Sequence, residues 1–232
     1  MKIGIMQPYF FPYLGYWQLM NMVDVYVVYV DGLFRPHGWI NRNRILIGDT
    51  PHYITIPVHG SEKTRIRDIT IPDNGIYFKK KIVRSIEENY GKADYFDECN
   101  QLIKDAILLD ENRLSDYLMK GIENIREYLE ITTPLIISSS IPMDQNASAQ
   151  EKIFQICSYL GGNHYINAIG GLDLYNKDQF SKKGLKLSFL KMNDFEYKQH
   201  SCEFYSGLSI IDVIMNNSRK SVKEMLEEFT LI

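Results

Sequence analysis

Short apolar runs rich in β-branched residues alternate along the chain with stretches of helical period. Lys2 to Met6 and Val25 to Val30 read as strands buried on both faces, and Leu14 to Met22 between them reads as a helix without a breaker after Gly15. A strand-helix-strand opening implies parallel strands joined by a right-handed crossover. Arg44 to Ile47 and His52 to Pro57 read as further strands, and Lys63 to Ile71, alternating charged and β-branched residues, as a half-exposed one. Gly75 to Asn89, Asp94 to Leu109 and Asn112 to Leu129 carry apolar residues at helical spacing. After them come a strand at Leu135 to Ile137, a helix from about Ala147 to Leu160 closed by Gly161-Gly162, and strands at Tyr165-Ile166 and Leu185 to Leu190. Helices at Ser209 to Met215 and Lys220 to Phe229 finish the chain. The expected fold class is α/β, a doubly wound, mainly parallel sheet with an additional helical lobe over about 75–130. No repeat, low-complexity tract or linker divides residues 1–232, so one domain is expected.

Composition narrows the function classes. With 232 residues, 45% of them hydrophobic, the chain can bury a large core without a staple. A net charge of -3 argues against general nucleic-acid binding or attachment to a membrane surface. Cys99, Cys157 and Cys202 match no zinc or redox spacing and are expected as buried free thiols in a reducing compartment. The opening apolar run is interrupted by Pro8, too early for a signal peptide, and no stretch reaches the ~20 apolar residues of a membrane span. A cytoplasmic location without membrane insertion follows, and homodimer formation is compatible with it.

Four segments carry candidate chemistry. Gln7-Pro8-Tyr9-Phe10-Phe11-Pro12-Tyr13-Leu14-Gly15-Tyr16 lies between the first strand and the first helix, where open parallel sheets bind ligands. Its prolines fix φ, Gly15 allows close approach, and its aromatics offer stacking faces or cover the sheet edge. The second segment is Trp39-Ile40-Asn41-Arg42-Asn43-Arg44, with Asp31 and His37 upstream. Arginines two apart in an extended segment share one side, where guanidiniums suit phosphate or carboxylate, and the asparagines on the other side suit sugar hydroxyls. Third, Ser138-Ser139-Ser140 follows a strand and can present hydroxyls and amides to an anion or simply cap a turn. In the fourth, Gly170 and Gly171 allow tight backbone approach, and Asp173 can serve as base or as helix cap. Asp173, Asp31 and His37 are the available general bases. His37, His52, His59, His164 and His200 are scattered singly, so no metal site is expected. No phosphate-binding glycine loop, zinc-protease pair, nucleophile elbow or paired-cysteine motif occurs.

The turn after the first strand is similar in layout to that of nucleotidylyltransferases and pantothenate synthetases, whose paired histidines grip ATP phosphates. Here Tyr13-Leu14-Gly15-Tyr16 stands in that place. A phenol donates only as a neutral group, so the likeness does not extend to an ATP-dependent mechanism.

Across nearly its whole length the chain resembles the WbqC-like family. The resemblance rests on Met6-Gln7-Pro8-Tyr9-Phe10-Phe11-Pro12-Tyr13-Leu14-Gly15-Tyr16, on Trp39 to Ile45, on Asn89-Tyr90-Gly91-Lys92-Ala93-Asp94-Tyr95-Phe96 and on Leu208-Ser209-Ile210-Ile211-Asp212. Tyr29-Val30-Asp31 has one acid fewer than the family pattern, and Tyr165 to Leu174 keeps Gly170, Gly171 and Asp173 while losing a Ser, a Gly and a Pro. The resemblance implies a transferase of O-antigen or capsule biosynthesis that joins an acyl or aminoacyl group, glycyl among them, to the amine of a nucleotide-linked amino sugar. In that scheme Arg42 and Arg44 hold the diphosphate, while Gln7, Asn41 and Asn43 read sugar hydroxyls. Tyr9, Trp39, Ser138, Ser139, Gly170 and Gly171 shape the substrate site, Tyr13 and Tyr16 line the cleft, and Asp31 or Asp173 removes the proton. The co-reactant implied is an activated acyl donor: a thioester, an adenylate made with ATP, or an aminoacyl-tRNA. A non-catalytic module binding a nucleotide-sugar or partner enzyme is the alternative, and a glycosyltransferase ranks third because Asp31-Gly32-Leu33 supplies no D-x-D.

Overall fold

A computed structural model describes residues 1–232. Five parallel strands and one antiparallel strand form its main sheet. These are β1 (Lys2–Met6), β2 (Val25–Val28), β5 (Leu135–Ile137), β6 (His164–Ala168), β7 (Lys186–Met192) and β8 (Phe229–Leu231), in the spatial order β5-β2-β1-β6-β7-β8. β1 pairs in parallel with β2 through Ile3↔Val25 and with β6 through Lys2↔His164, while β8 runs antiparallel to β7.

Alternation along these strands sends neighbouring side chains to two cores. Ile3, Ile5, Val27, Tyr165, Leu187 and Phe189 face a cluster of 12 buried residues shared with α5 (Ala149–Tyr159) and α6 (Lys177–Lys182). Tyr26, Val28, Ile166 and Leu190 face a cluster of 47. That larger core takes in α1 (Leu14–Met22), the three amphipathic helices α2 (Gly75–Tyr90), α3 (Phe96–Leu108) and α4 (Leu114–Tyr128), and the final pair α7 (Ile210–Asn216) and α8 (Arg219–Met225). Helices therefore cover both faces of a mainly parallel sheet, the architecture expected from the strand-helix-strand opening. No helix is long and apolar enough to cross a membrane.

The structure bears out some readings and corrects others. Arg44 to Ile47 and His52 to Pro57 fall on strands, as read, outside the main sheet. They pair with each other as a hairpin, β3 (Arg42–Ile47) and β4 (Thr50–Thr55), joined at Gly48-Asp49. Lys63 to Ile71 is no strand, because its amides bond to loop carbonyls (Ile66 to Gly32, Arg67 to Val30, Thr70 to His59) and only a short 3-10 turn forms at Ile66–Asp68. The last helix stops at Met225, since Phe229 pairs with Met192 in the sheet, and α6 was not anticipated in its lysine-rich segment. Cys99 and Cys157 are buried as expected, whereas Cys202 is exposed.

The large core encloses a carboxyl group. Asp212 is fully buried on α7, its Oδ1 accepts from the Tyr90 hydroxyl at 3.0 Å, and its Oδ2 has no partner. Burial pushes its carboxyl up from 3.8 to about 6, against the Tyr90 hydrogen bond. The folded value lies above the unfolded one, so the folded chain holds this proton more tightly and the group's contribution to stability falls as pH rises through about 4 to 6. A difference of this size corresponds to about 3 kcal/mol. Asp212→Asn, which cannot ionise, is expected to gain up to that much over the wild type in urea unfolding above pH 7 and to lose the gain near pH 4. A difference that does not change with pH would remove the buried carboxyl as its cause.

Candidate functional site

The strand order reverses between β1 and β6. From β1 the chain steps through β2 to β5, then returns to β6 and β7 on the other side. The connections leaving β1 and β6 part toward opposite faces, α1 into the large core and α6 into the small one, and open a crevice outside the strands' carboxyl ends. Gln7, Tyr29, Asp31, Ser138 and Asn167 reach this edge at or just past the ends of β1, β2, β5 and β6.

Its electrostatic centre is Asp31, whose side chain is wholly enclosed. Arg67 pairs with Oδ1 at 2.6 Å, the Ser138 hydroxyl donates to Oδ2, and that hydroxyl accepts the Val30 amide at 3.0 Å. A buried carboxylate requires such partners, and here they lock Arg67 at the rim with a third of its side chain exposed. Arg65, beside it, donates to Gln145. Burial raises the Tyr29 phenol and the Asp31 charge adds to this, while Arg65 opposes it. Gln7 lies over Gly32, and Gly171 packs on Asn167 so closely that a β-carbon would stand 2.2 Å from its Nδ2.

The turn from Pro8 to Tyr13 forms the next wall. Phe11 has φ 43°, a left-handed conformation rare for an aromatic residue. The surroundings over-determine it. Asn43 Nδ2 donates to the Phe10 carbonyl at 3.0 Å and the Phe11 carbonyl at 2.7 Å, and Ser209 Oγ adds a bond to Phe11 at 2.8 Å. Trp17 Nε1 and the Ile210 amide both hold the Pro12 carbonyl at 3.1 Å. Tyr13 then folds back over Gly15, where a β-carbon would meet its ring at 2.5 Å. Burial pushes the Tyr13 hydroxyl up to about 12. Tyr9 packs 5.7 Å from Tyr16, its phenol raised by burial and partly offset by Arg35.

The sequence-derived candidates thus fall into three groups. Gln7, Tyr9, Tyr13, Gly15, Asp31, Ser138, Gly170 and Gly171 lie along the crevice or its wall. Ser139 is exposed beside it, and Asp173 is exposed on the 3-10 turn Ile169–Leu174. The second group is structural. Phe10, Phe11 and Trp17 are buried and offer no stacking face, and Tyr16 is fully buried, its hydroxyl without a partner in the protein. Asn41 and Asn43 face inward, Asn41 donating to Ile56 O at 2.8 Å, so neither amide is free for a sugar. The third group sits on the hairpin: Trp39, Arg42 and Arg44 are at its outer face, with exposed His37 giving its carbonyl to Arg42. Sequence reasoning missed Arg65 and Arg67. Their Arg-x-Arg spacing repeats that of Arg42 and Arg44 and was the available signal.

A model of the WbqC-like protein family matches residues 7–224. The chain belongs to the WbqC-like family. It is also 26% identical over 219 residues to the uncharacterized protein Rv1507c of Mycobacterium tuberculosis, covering 93% of each chain. No solved structure matches it.

In this WbqC-like chain the Asn43 amide is the tie whose removal exposes the strain at Phe11. Asn43→Ala leaves the buried Phe10 carbonyl without a donor and the Phe11 carbonyl with Ser209 alone, and is expected to lower unfolding free energy by about 1–3 kcal/mol. Asn43→Asp keeps the acceptor used by the Arg44 amide but loses both donors, and should do no better. A loss below about 0.5 kcal/mol in denaturant melts, the range of an ordinary surface change, would show that the turn holds without it.

Proposed function

We propose that the chain is a transferase of surface-polysaccharide biosynthesis that forms an amide between an activated acyl or aminoacyl group and the amine of a nucleotide-linked amino sugar. The observation that carries this reading is the Asp31-Ser138-Arg67 group, with Arg65 beside it, at the carboxyl ends of the strands where the sheet order reverses. Guanidiniums already fixed in place suit a diphosphate, because little side-chain freedom is lost on binding. Arg65 and Arg67 thus take the part first expected of Arg42 and Arg44. Gln7 reads a sugar hydroxyl, and Tyr9 and Tyr13 flank the reacting amine. That amine attacks the acyl carbon, a C–N bond forms as the bond to thiol or AMP breaks, and the amine's proton leaves with the departing group or to a base. The reading places the reaction in the cytoplasm, on precursors not yet joined to the membrane.

A second reading, a non-catalytic module that binds the nucleotide-sugar, draws on one observation. Both oxygens of Asp31 are engaged and Ser138 is fully buried, so neither is free as base or nucleophile.

Thermal-shift titration with UDP-, GDP- and dTDP-linked amino sugars tests binding, since a ligand at 100 times its Kd adds about 2.7 kcal/mol of stability. Arg65→Ala is expected to weaken binding about tenfold or more, at 1.5–3 kcal/mol per charged hydrogen bond. Arg67→Ala also strands a buried carboxylate and should destabilise the apo chain by about 3–5 kcal/mol. Mass spectrometry with an acyl thioester then separates the readings, because binding without an acylated sugar favours the module. No stabilisation by any nucleotide-sugar would sink both.

A further inference from the structure

Of the chain's nine arginines, five make no ion pair with a carboxylate, and four of these, Arg35, Arg42, Arg44 and Arg65, fall in one stretch of the sequence. Two stand on the outer face of the β3–β4 hairpin among exposed aromatic rings. Trp39 and Tyr53 are 39% and 50% exposed, with ring centroids 6.2 Å apart. The Arg42 guanidinium lies 4.2 Å from the centre of the Tyr53 ring and the Arg44 guanidinium 5.7 Å from that of Trp39. Arg42 is anchored further by Gly38 O, which accepts from its Nε at 3.1 Å, and by His37 O. Arg44 reaches only Ser206 O, at 3.5 Å, and its Nε is enclosed without a partner.

Large aromatic rings left in solvent, each with an unneutralised guanidinium over it, are not explained by packing. Cation–π contact orders the guanidiniums, and their N–H groups not given to Gly38, His37 or Ser206 can meet an anion. Aromatic faces in solvent stack planar bases with little preference among them. The net charge of -3 disfavours a long polyanion, and two arginines match the phosphates of one small ligand.

We infer that this hairpin face binds a nucleotide, its base stacked on Trp39 or Tyr53 and its phosphates on Arg44 and Arg42. Its cations are Arg42 and Arg44, whereas those of the crevice are Arg65 and Arg67. It deepens the proposed function and rests on it in one respect: the second nucleotide is the handle of the acyl donor, an adenylate or a coenzyme-A-type thioester.

Trp39 supplies its own readout. The chain has two tryptophans, and Trp17 is fully buried, so quenching of intrinsic fluorescence by added ADP reports on Trp39. Saturable quenching by ADP is expected, with adenosine at least tenfold weaker and inorganic diphosphate competing. Arg44→Ala should weaken ADP at least tenfold and Arg44→Lys less, with circular dichroism confirming the fold. Trp39→Phe removes the signal, and equilibrium dialysis with labelled ADP follows binding in that variant. Absent quenching, equal affinity for adenosine and ADP, or an Arg44→Ala variant that binds ADP as the wild type does would each overturn the inference. Arg65→Ala is expected to leave ADP quenching of Trp39 intact while losing the nucleotide-sugar. Failure of the hairpin site is thereby distinguished from failure of the crevice assignment.

Discussion

The fold around the candidate site depends on one buried amide. Asn43 gives both of its Nδ2 protons to the Phe10 and Phe11 carbonyls and accepts the Arg44 amide on Oδ1. It thereby joins the hairpin to the turn that follows β1. Ser209 closes the same knot, since its amide bonds to the Arg44 carbonyl and its hydroxyl to Phe11, which brings in the start of α7. Without these bonds the left-handed Phe11 would be strained and three carbonyls enclosed without donors, a burden of several kcal/mol by the usual figure of about 1–3 for each. The turn in turn fixes where α1 begins and how Tyr13 lies over Gly15. Hairpin, turn and α7 therefore stand or fall together, as a fully satisfied polar network does.

This dependence explains what was legible in the sequence and what was not. Strands such as Lys2 to Met6 and Val25 to Val28 announce themselves because both faces are buried, and their order along the chain leads directly to a parallel sheet. The hairpin strands were visible as strands, but nothing in Arg42 to Ile47 says which partner they take. Alternation correctly put the arginines and asparagines of that run on opposite sides. It could not say which side is inward, and tertiary bonding turned the asparagines toward backbone carbonyls. Asp31 and Ser138 were readable as residues at strand ends. Arg65 and Arg67 were not, because the segment from Lys63 to Ile71 takes its shape from carbonyls at Val30, Gly32 and His59 rather than from its own pattern.

Net charge was similarly informative only at the scale it describes. A value of -3 speaks against a polyanion-binding surface over the whole molecule. It conceals a local excess, because the ion pairs of Lys198, Lys223 and Arg219 neutralise charge elsewhere and leave the arginines of the hairpin and the neighbouring turn unpaired. Exposed pairs of that kind contribute little to stability, typically 0–1 kcal/mol. Their effect here is on the distribution of charge, since four of the five arginines that pair with no carboxylate lie between Arg35 and Arg65.

The chemistry at Asp31 constrains how such a site could form an amide. Both oxygens of its carboxylate are taken, one by Arg67 and one by the Ser138 hydroxyl. It fixes the Arg67 guanidinium at the rim of the crevice. Tyr13 and Tyr29, raised by burial, stay neutral near pH 7 and can donate a hydrogen bond to an acyl oxygen, but they cannot act as bases there. Under the proposed function the amine's proton would pass to the leaving group, and positive charge from the guanidiniums would favour a substrate amine that arrives neutral. An anionic leaving group that can take the proton as it departs, as a thiolate can, fits a crevice of this composition better than one that requires a free carboxylate from the protein.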